Sequence, residues 1–151
     1  MNLERYPLTA TNDYTSYTFE STGHQGVVTK VVQFIPMAID NFYNFGFGDY
    51  DAATGSTNDV SVTNNGDRDK VLATVVYALY VFTTYYPNAR VLAVGSTPSR
   101  TRLYRMGVTK QLPMATEAFD IYGDVGTYEF EVFVPNTNYT RFLVKRKQER
   151  R

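Results

Sequence analysis

Between Asp67 and Pro87 the chain carries a nearly unbroken apolar run at helical spacing. Val71, Leu72, Val75, Val76, Leu79 and Phe82 recur at intervals of three and four, and Ala78, Tyr80 and Val81 widen the stripe until little of the circumference is polar. A helix that is apolar almost all round has to be buried. It is too short for a membrane span, which takes about 20 apolar residues. It therefore has to lie across a sheet broad enough to cover it. Asp67, placed to cap the free amides of the first turn, and Asp69 mark its start. Pro87 and Asn88 mark its end.

The rest of the chain supplies that sheet. Residues 15–20 alternate aromatic and polar, and the β-branched run 27–35 closes a hairpin through a turn at 21–26. Pro36 stops it, because Pro cannot donate to a ladder. A third strand is expected at 42–47, where Gly46 and Gly48 flank Phe47 and suggest a bulge. Residues 51–65 read as loop, with Val60-Ser61-Val62 as a short edge strand. Residues 91–94, apolar throughout, predict a central strand. Thr97 and Pro98 start a second helix that runs to about Met106, with Gly107 as its left-handed cap. Strands follow at 119–122, 128–134 and 139–144.

The order is thus β-β-β-α-β-α-β-β-β. With hairpins at both ends it predicts an α+β fold: one largely antiparallel sheet, one long buried helix and one shorter basic helix. The expected domain is 1–144, with 145–151 as a basic tail.

Composition excludes several classes. The 151 residues contain no Cys and one His, so disulfide scaffolds, Cys-ligated zinc or iron–sulfur sites and His-rich metal sites are ruled out. No cofactor is expected. Residues 1–20 contain Glu4, Arg5 and Asp13 and no apolar run, unlike a signal peptide. A cytoplasmic protein with no membrane partner is the expectation. The 13 Tyr and 10 Phe suit half-exposed sheet faces, and a stacking platform for bases is the second use of such a supply.

Net charge is zero, yet it is unevenly spread. Residues 1–60 hold two basic and seven acidic residues, a net of −5, and residues 61–151 hold thirteen and eight, a net of +5. From Asn88 to Thr116 there are Arg90, Arg100, Arg102, Arg105 and Lys110 and no acid. A strand, then Gly95-Ser96-Thr97, then a helix that begins with Arg, places free amides and a positive dipole end beside cations. Ser96, Thr97, Ser99, Arg100, Arg102 and Arg105 are therefore the candidate anion-binding residues. The structural alternative pairs these arginines with Asp120, Glu129 or Glu131. The tail Lys145-Arg146-Lys147-Gln148-Glu149-Arg150-Arg151, basic at five of seven positions, is a second place for nucleic acid or an acidic protein to bind.

Other constellations are weaker. His24 stands alone in a turn. Asp49, Asp51 and Asp59 gather near the Gly-rich loop but lack the Gly and Glu of a calcium loop. Glu129 and Glu131 share one side of a strand, the ordinary polar face of a half-exposed strand.

The segment Gly95-Ser96-Thr97-Pro98-Ser99-Arg100-Thr101-Arg102-Leu103-Tyr104, with Phe45-Gly46-Phe47-Gly48-Asp49 upstream, resembles a family of small uncharacterised bacterial proteins found mainly in Bacteroidota. The resemblance runs from the first hairpin to the last strand, and its most distinctive part is Arg-Thr-Arg-Leu-Tyr. It implies a bacterial cytosolic protein and carries no activity to any residue.

Three functions follow as expectations. The first is a non-enzymatic binding module for nucleic acid or an acidic partner. The second is an interaction or homo-oligomerisation protein that uses a sheet edge or the Tyr-rich face. The third is an acetyltransferase-like enzyme that binds a phosphate-bearing small molecule. The order after Asp67 is similar to the second half of that fold, but its Gln/Arg-x-x-Gly-x-Gly/Ala turn is absent.

Overall fold

The computed structural model describes residues 4–51, 53–58, 65–95 and 97–148, with the side chains at 56–58, 100 and 114 outside that set. Val60-Ser61-Val62, Asp59, Ser96 and the last residues of the tail, 149–151, lie outside the described residues.

Nine strands form one sheet, and two helices cover one of its faces. The strands are β1 (Thr9–Ala10), β2 (Ser16–Gly23), β3 (Gly26–Pro36), β4 (Phe42–Asp51), β5 (Ser56–Asn58), β6 (Arg90–Val94), β7 (Phe119–Asp124), β8 (Glu131–Val132) and β9 (Arg141–Arg146). The helices are α1 (Arg68–Tyr85) and α2 (Pro98–Ala118). Their order across the sheet is β1-β2-β3-β4-β6-β9-β7-β8, with β5 on β4. The expected α+β class and element order hold.

Two crossovers build the middle. β4 pairs parallel with β6, and α1 is the helix that carries the chain between them. That is why the most apolar helix lies across the sheet. β6 continues through α2 to β7, and β9 returns between them, antiparallel to both. Every other pairing is antiparallel.

The β2–β3 hairpin pairs from Ser16↔Gln33 to Gly23↔Gly26, so its turn is only His24-Gln25. Gly26, the residue after the turn, has φ of 86°, the left-handed position that follows a type I turn and lets the hairpin close with a G1 bulge. The bulge expected at Gly46 and Gly48 is absent: Val31↔Gly48, Val32↔Phe47 and Gln33↔Gly46 follow without offset. The last hairpin is shorter than expected. Within 128–134 only Glu131 and Val132 pair as strand, and Tyr128 is in the left-handed region at φ of 66°, which breaks an extended run.

The core lies between the sheet and the helices. Phe34 of β3 stacks on Phe82 of α1 at 4.1 Å, and Tyr43 meets the same ring edge-on at 5.0 Å. Tyr17, Phe19, Val32 and Phe47 continue that layer, all buried. A second cluster gathers Phe119, Ile121, Tyr139, Phe142 and Val144 under α2. Leu79 touches both.

Asp67 does not cap α1: its side chain makes no capping hydrogen bond. Its Oδ2 instead accepts from the hydroxyls of Tyr6 and Ser21, both at 2.5 Å. Buried Asn65 beside it accepts from the Gln25 amide at 2.6 Å and donates to the Gly26 carbonyl at 2.9 Å. The start of α1 is thus fastened to the tip of the first hairpin, a tertiary demand that outcompetes a local cap.

α2 does not stop at Met106. It runs 21 residues, through Gly107 and Pro113 to Ala118, and is the longer helix. Gly107 is buried where the helices meet. A Cβ there would stand 2.9 Å from Cδ2 of Leu72, so Gly serves close helix approach and not a cap.

Candidate functional site

The face of the sheet opposite the helices carries neither of them. One row across it reads Ile35, Asn44, Leu92, Leu143, Tyr122 and Val132, set by the register of five pairings. The next row towards one end reads Phe42, Arg90, Lys145 and Asp120. Cations lie over rings here: Arg90 over Phe42 at 5.8 Å, Lys145 over Tyr122 at 5.9 Å.

At that end is a polar pocket of about 220 Å³, lined by Asn41, Asn88, Arg90, Lys145, Arg146 and Gln148, with Pro87 and Ala89. Among the described residues its lining has three cations and no carboxylate. Arg146 is partly spent: its Nη1 donates to the Tyr80 carbonyl and to the Thr83 and Thr84 hydroxyls, at 3.0 to 3.1 Å, where α1 ends. Arg90 and Lys145 make no ion pair among the described residues, and Asp120, opposite Lys145 in register, makes none with it. Lys145 and Arg146 sit in β9.

The set expected at the start of α2 is differently placed. Thr97 stands at the cap position and its carbonyl accepts from the Thr101 amide at 3.0 Å. Ser99 and Arg102 are exposed and Arg105 is half-buried. Ser96 and the Arg100 side chain are outside the described residues. Neither Arg102 nor Arg105 forms an ion pair among the described residues. Glu131, one of the acids expected as a partner, accepts instead from the Tyr139 hydroxyl at 2.9 Å. No contact joins Arg102 or Arg105 to the polar pocket.

Of the acidic trio, Asp49 and Asp51 have partners of their own and Asp59 lies outside the described residues. Asp49 pairs with buried Lys30 at 2.5 Å, and Asp51 accepts from the Ala53 amide at 2.9 Å. Among the described residues no group of three His, Asp or Glu is placed to hold a metal. No helix among them is long and apolar enough to cross a membrane.

A second pocket lies inside the fold, between α1, α2 and the sheet. This apolar cavity of about 120 Å³ has Phe45, Val75, Leu103, Tyr104, Gly107 and Phe142 among its walls. The two segments that carry the family resemblance meet here: Phe45 of β4 packs edge-on against Tyr104 of α2 at 5.6 Å. Only Tyr104 and Gln111 bring polar side chains to the lining. Among the described residues no carboxylate, imidazole or amine borders it. Sequence reading missed it, because the residues lining α2's inner stripe are not large apolar ones.

A model of a family of unknown function matches residues 2–147. The chain belongs to that family, DUF6934. The match covers nearly the whole chain and agrees with the resemblance in attaching no activity to it. Neither a curated protein nor a solved structure matches the chain.

Proposed function

We propose that this DUF6934 member is a non-enzymatic binding module for nucleic acid. The observation that carries the reading is the polar pocket at the end of β6 and β9, with Arg90 and Lys145 in its lining and no carboxylate there among the described residues. Guanidinium and ammonium groups there offer donors for a phosphate oxygen. Phe42 and Tyr122, beside them on the helix-free face, offer rings for base stacking. The start of α2, with Thr97, Ser99, Arg102 and Arg105, is the second proposed contact, through its free amides and its two cations.

Fluorescence anisotropy with labelled single- and double-stranded DNA and RNA, at about 50 and 200 mM salt, tests this. Binding to at least one is expected, weakening about tenfold over that range if two phosphates are contacted. R90A/K145A is expected to remove most of that salt dependence and R102A/R105A to weaken binding less. No binding to any of the four at the lower salt would sink the nucleic-acid reading and leave an acidic protein as the partner.

A further inference from the structure

Two tyrosines from distant parts of the chain lie face to face at the surface. Tyr14, in the turn between β1 and β2, stacks on Tyr85, the last residue of α1, with ring centroids 3.8 Å apart and planes 6° from parallel. Tyr85 is 53% exposed and Tyr14 is half-buried, so solvent reaches the pair. The Tyr85 hydroxyl hydrogen-bonds that of Tyr14, and this bond, then the charge of the neighbouring phenol, holds the Tyr85 pKa above its ordinary value. Hydroxyls that meet set both rings in the same sense. The ring carbons ortho to one hydroxyl therefore face those ortho to the other.

Tyr14 is held in this place against its own backbone preference. Its φ is 59°, in the left-handed region that a bulky side chain seldom enters. The turn fixes it there. The Asp13 carboxylate accepts from the Thr11 and Thr15 hydroxyls, each at 2.8 Å. The Tyr14 carbonyl accepts from the hydroxyl of buried Tyr17 at 2.6 Å, and the Asp13 carbonyl from that of Tyr86, next to Tyr85, at 2.7 Å. Backbone strain that the surroundings hold in place points to a use for the strained residue.

We propose that Tyr14 and Tyr85 form a dityrosine site, where a diffusible one-electron oxidant joins the two rings by a carbon–carbon bond within one chain. Each phenol gives one electron to an equivalent of oxidant and its hydroxyl proton to water. The two radicals pair at the facing ortho carbons. The hydrogen on each coupled carbon then moves to its ring oxygen as the ring regains aromaticity, so the product is two hydrogens lighter than the two tyrosines. Facing geometry, and not exposure, selects the pair. Tyr128 is 84% exposed, but no ring stacks on it among the described residues. Tyr77 and Tyr80 are parallel within 5°, yet their centroids are 6.4 Å apart. The bond would tie the first turn of the sheet to the end of α1.

The full chain, treated with a ruthenium(III) polypyridyl oxidant, tests this through peptide mapping and the blue emission of dityrosine. At about 10 µM protein the peptide joining Tyr14 to Tyr85 is expected to exceed any other cross-link at least about tenfold, because its partner ring is already in place. Tyr85→Phe, which keeps the ring and removes the phenol, should lose most of the emission, and Tyr128→Phe should keep it. The wild-type map needs no variant to fold. The proposal is overturned if the Tyr14–Tyr85 peptide is absent, if Tyr77–Tyr80 or chain-to-chain products match it, or if Tyr85→Phe emits as the wild type does.

Discussion

Asp124 shows how much one buried carboxylate can organise. It is 1% exposed and accepts from Arg141 through Nε at 3.0 Å and Nη2 at 2.6 Å. Its other oxygen accepts from the amides of Gly126 and Thr127, at 2.8 and 2.9 Å. The Arg141 hydrogen bonds first, and then these amides, hold its pKa below the ordinary carboxylate value. The lowered value fixes a sign. The stabilisation is fully present above the unfolded pKa of about 3.9 and is lost as pH falls from there through the lower folded value. Urea melts from pH 7 down to pH 2 are expected to show a loss of stability that begins near pH 4. Asp124→Asn should lower the melting temperature at pH 7 by several degrees and flatten that acid slope. An unchanged slope in the variant would place the acid sensitivity elsewhere. The sequence marks Gly123-Asp124-Val125-Gly126 as a turn, and Asp two residues before Gly is the usual signal for a side chain that closes such a turn on its own amides. Nothing in it points to Arg141, because the partner comes from across the sheet.

Elements differ in how plainly they are written. α1 is legible because large apolar side chains recur on it at helical spacing and only burial can satisfy them. α2 past Met106 is not legible for the opposite reason. Its most buried stripe there is Gly107, Gln111 and Ala115, its larger apolar contacts are only the half-buried Val108 and Leu112, and its Gly and Pro113 both read as stops. The same logic hid the cavity, whose walls are ordinary core residues. Gly107 gives a test at this scale. In a helix Ala is better than Gly by about 1 kcal/mol. The atom a new Cβ would meet is Cδ2 of Leu72, the far end of a flexible side chain that itself borders the cavity. Leu72 has space to turn into. Gly107→Ala is therefore expected to raise the melting temperature by about 2–4 °C, the response of a domain this size to ~1 kcal/mol. A fall of that size, measured by calorimetry, would mean that Leu72 is held in place and that the helices meet more rigidly than the cavity suggests.

At the scale of the molecule the two core clusters are joined narrowly. The parallel β4–β6 pairing has three residue pairs, Phe42↔Arg90, Tyr43↔Val91 and Asn44↔Leu92; Leu79 packs against both layers, and Phe45 of the first meets Tyr104 of the second. The first layer is dense: β3 is paired along both edges, and α1 buries Val71, Ala73, Thr74, Ala78, Phe82 and Thr83. The second sits over the cavity. A void of about 120 Å³ forgoes roughly 3 kcal/mol of packing, and Pro113 has no N–H to donate to the Thr109 carbonyl, one helical hydrogen bond fewer. The void also borders α1, through Leu72, Val75, Val76 and Leu79, but α2 bears both deficits. Native-state hydrogen exchange should therefore find the amides of β3 and mid-α1 opening only with global unfolding. Those of α2 should open at a free energy about 2–3 kcal/mol lower, as a unit of their own. If α2 exchanges with the same free energy as α1, the cavity does not weaken it and the two layers unfold as one.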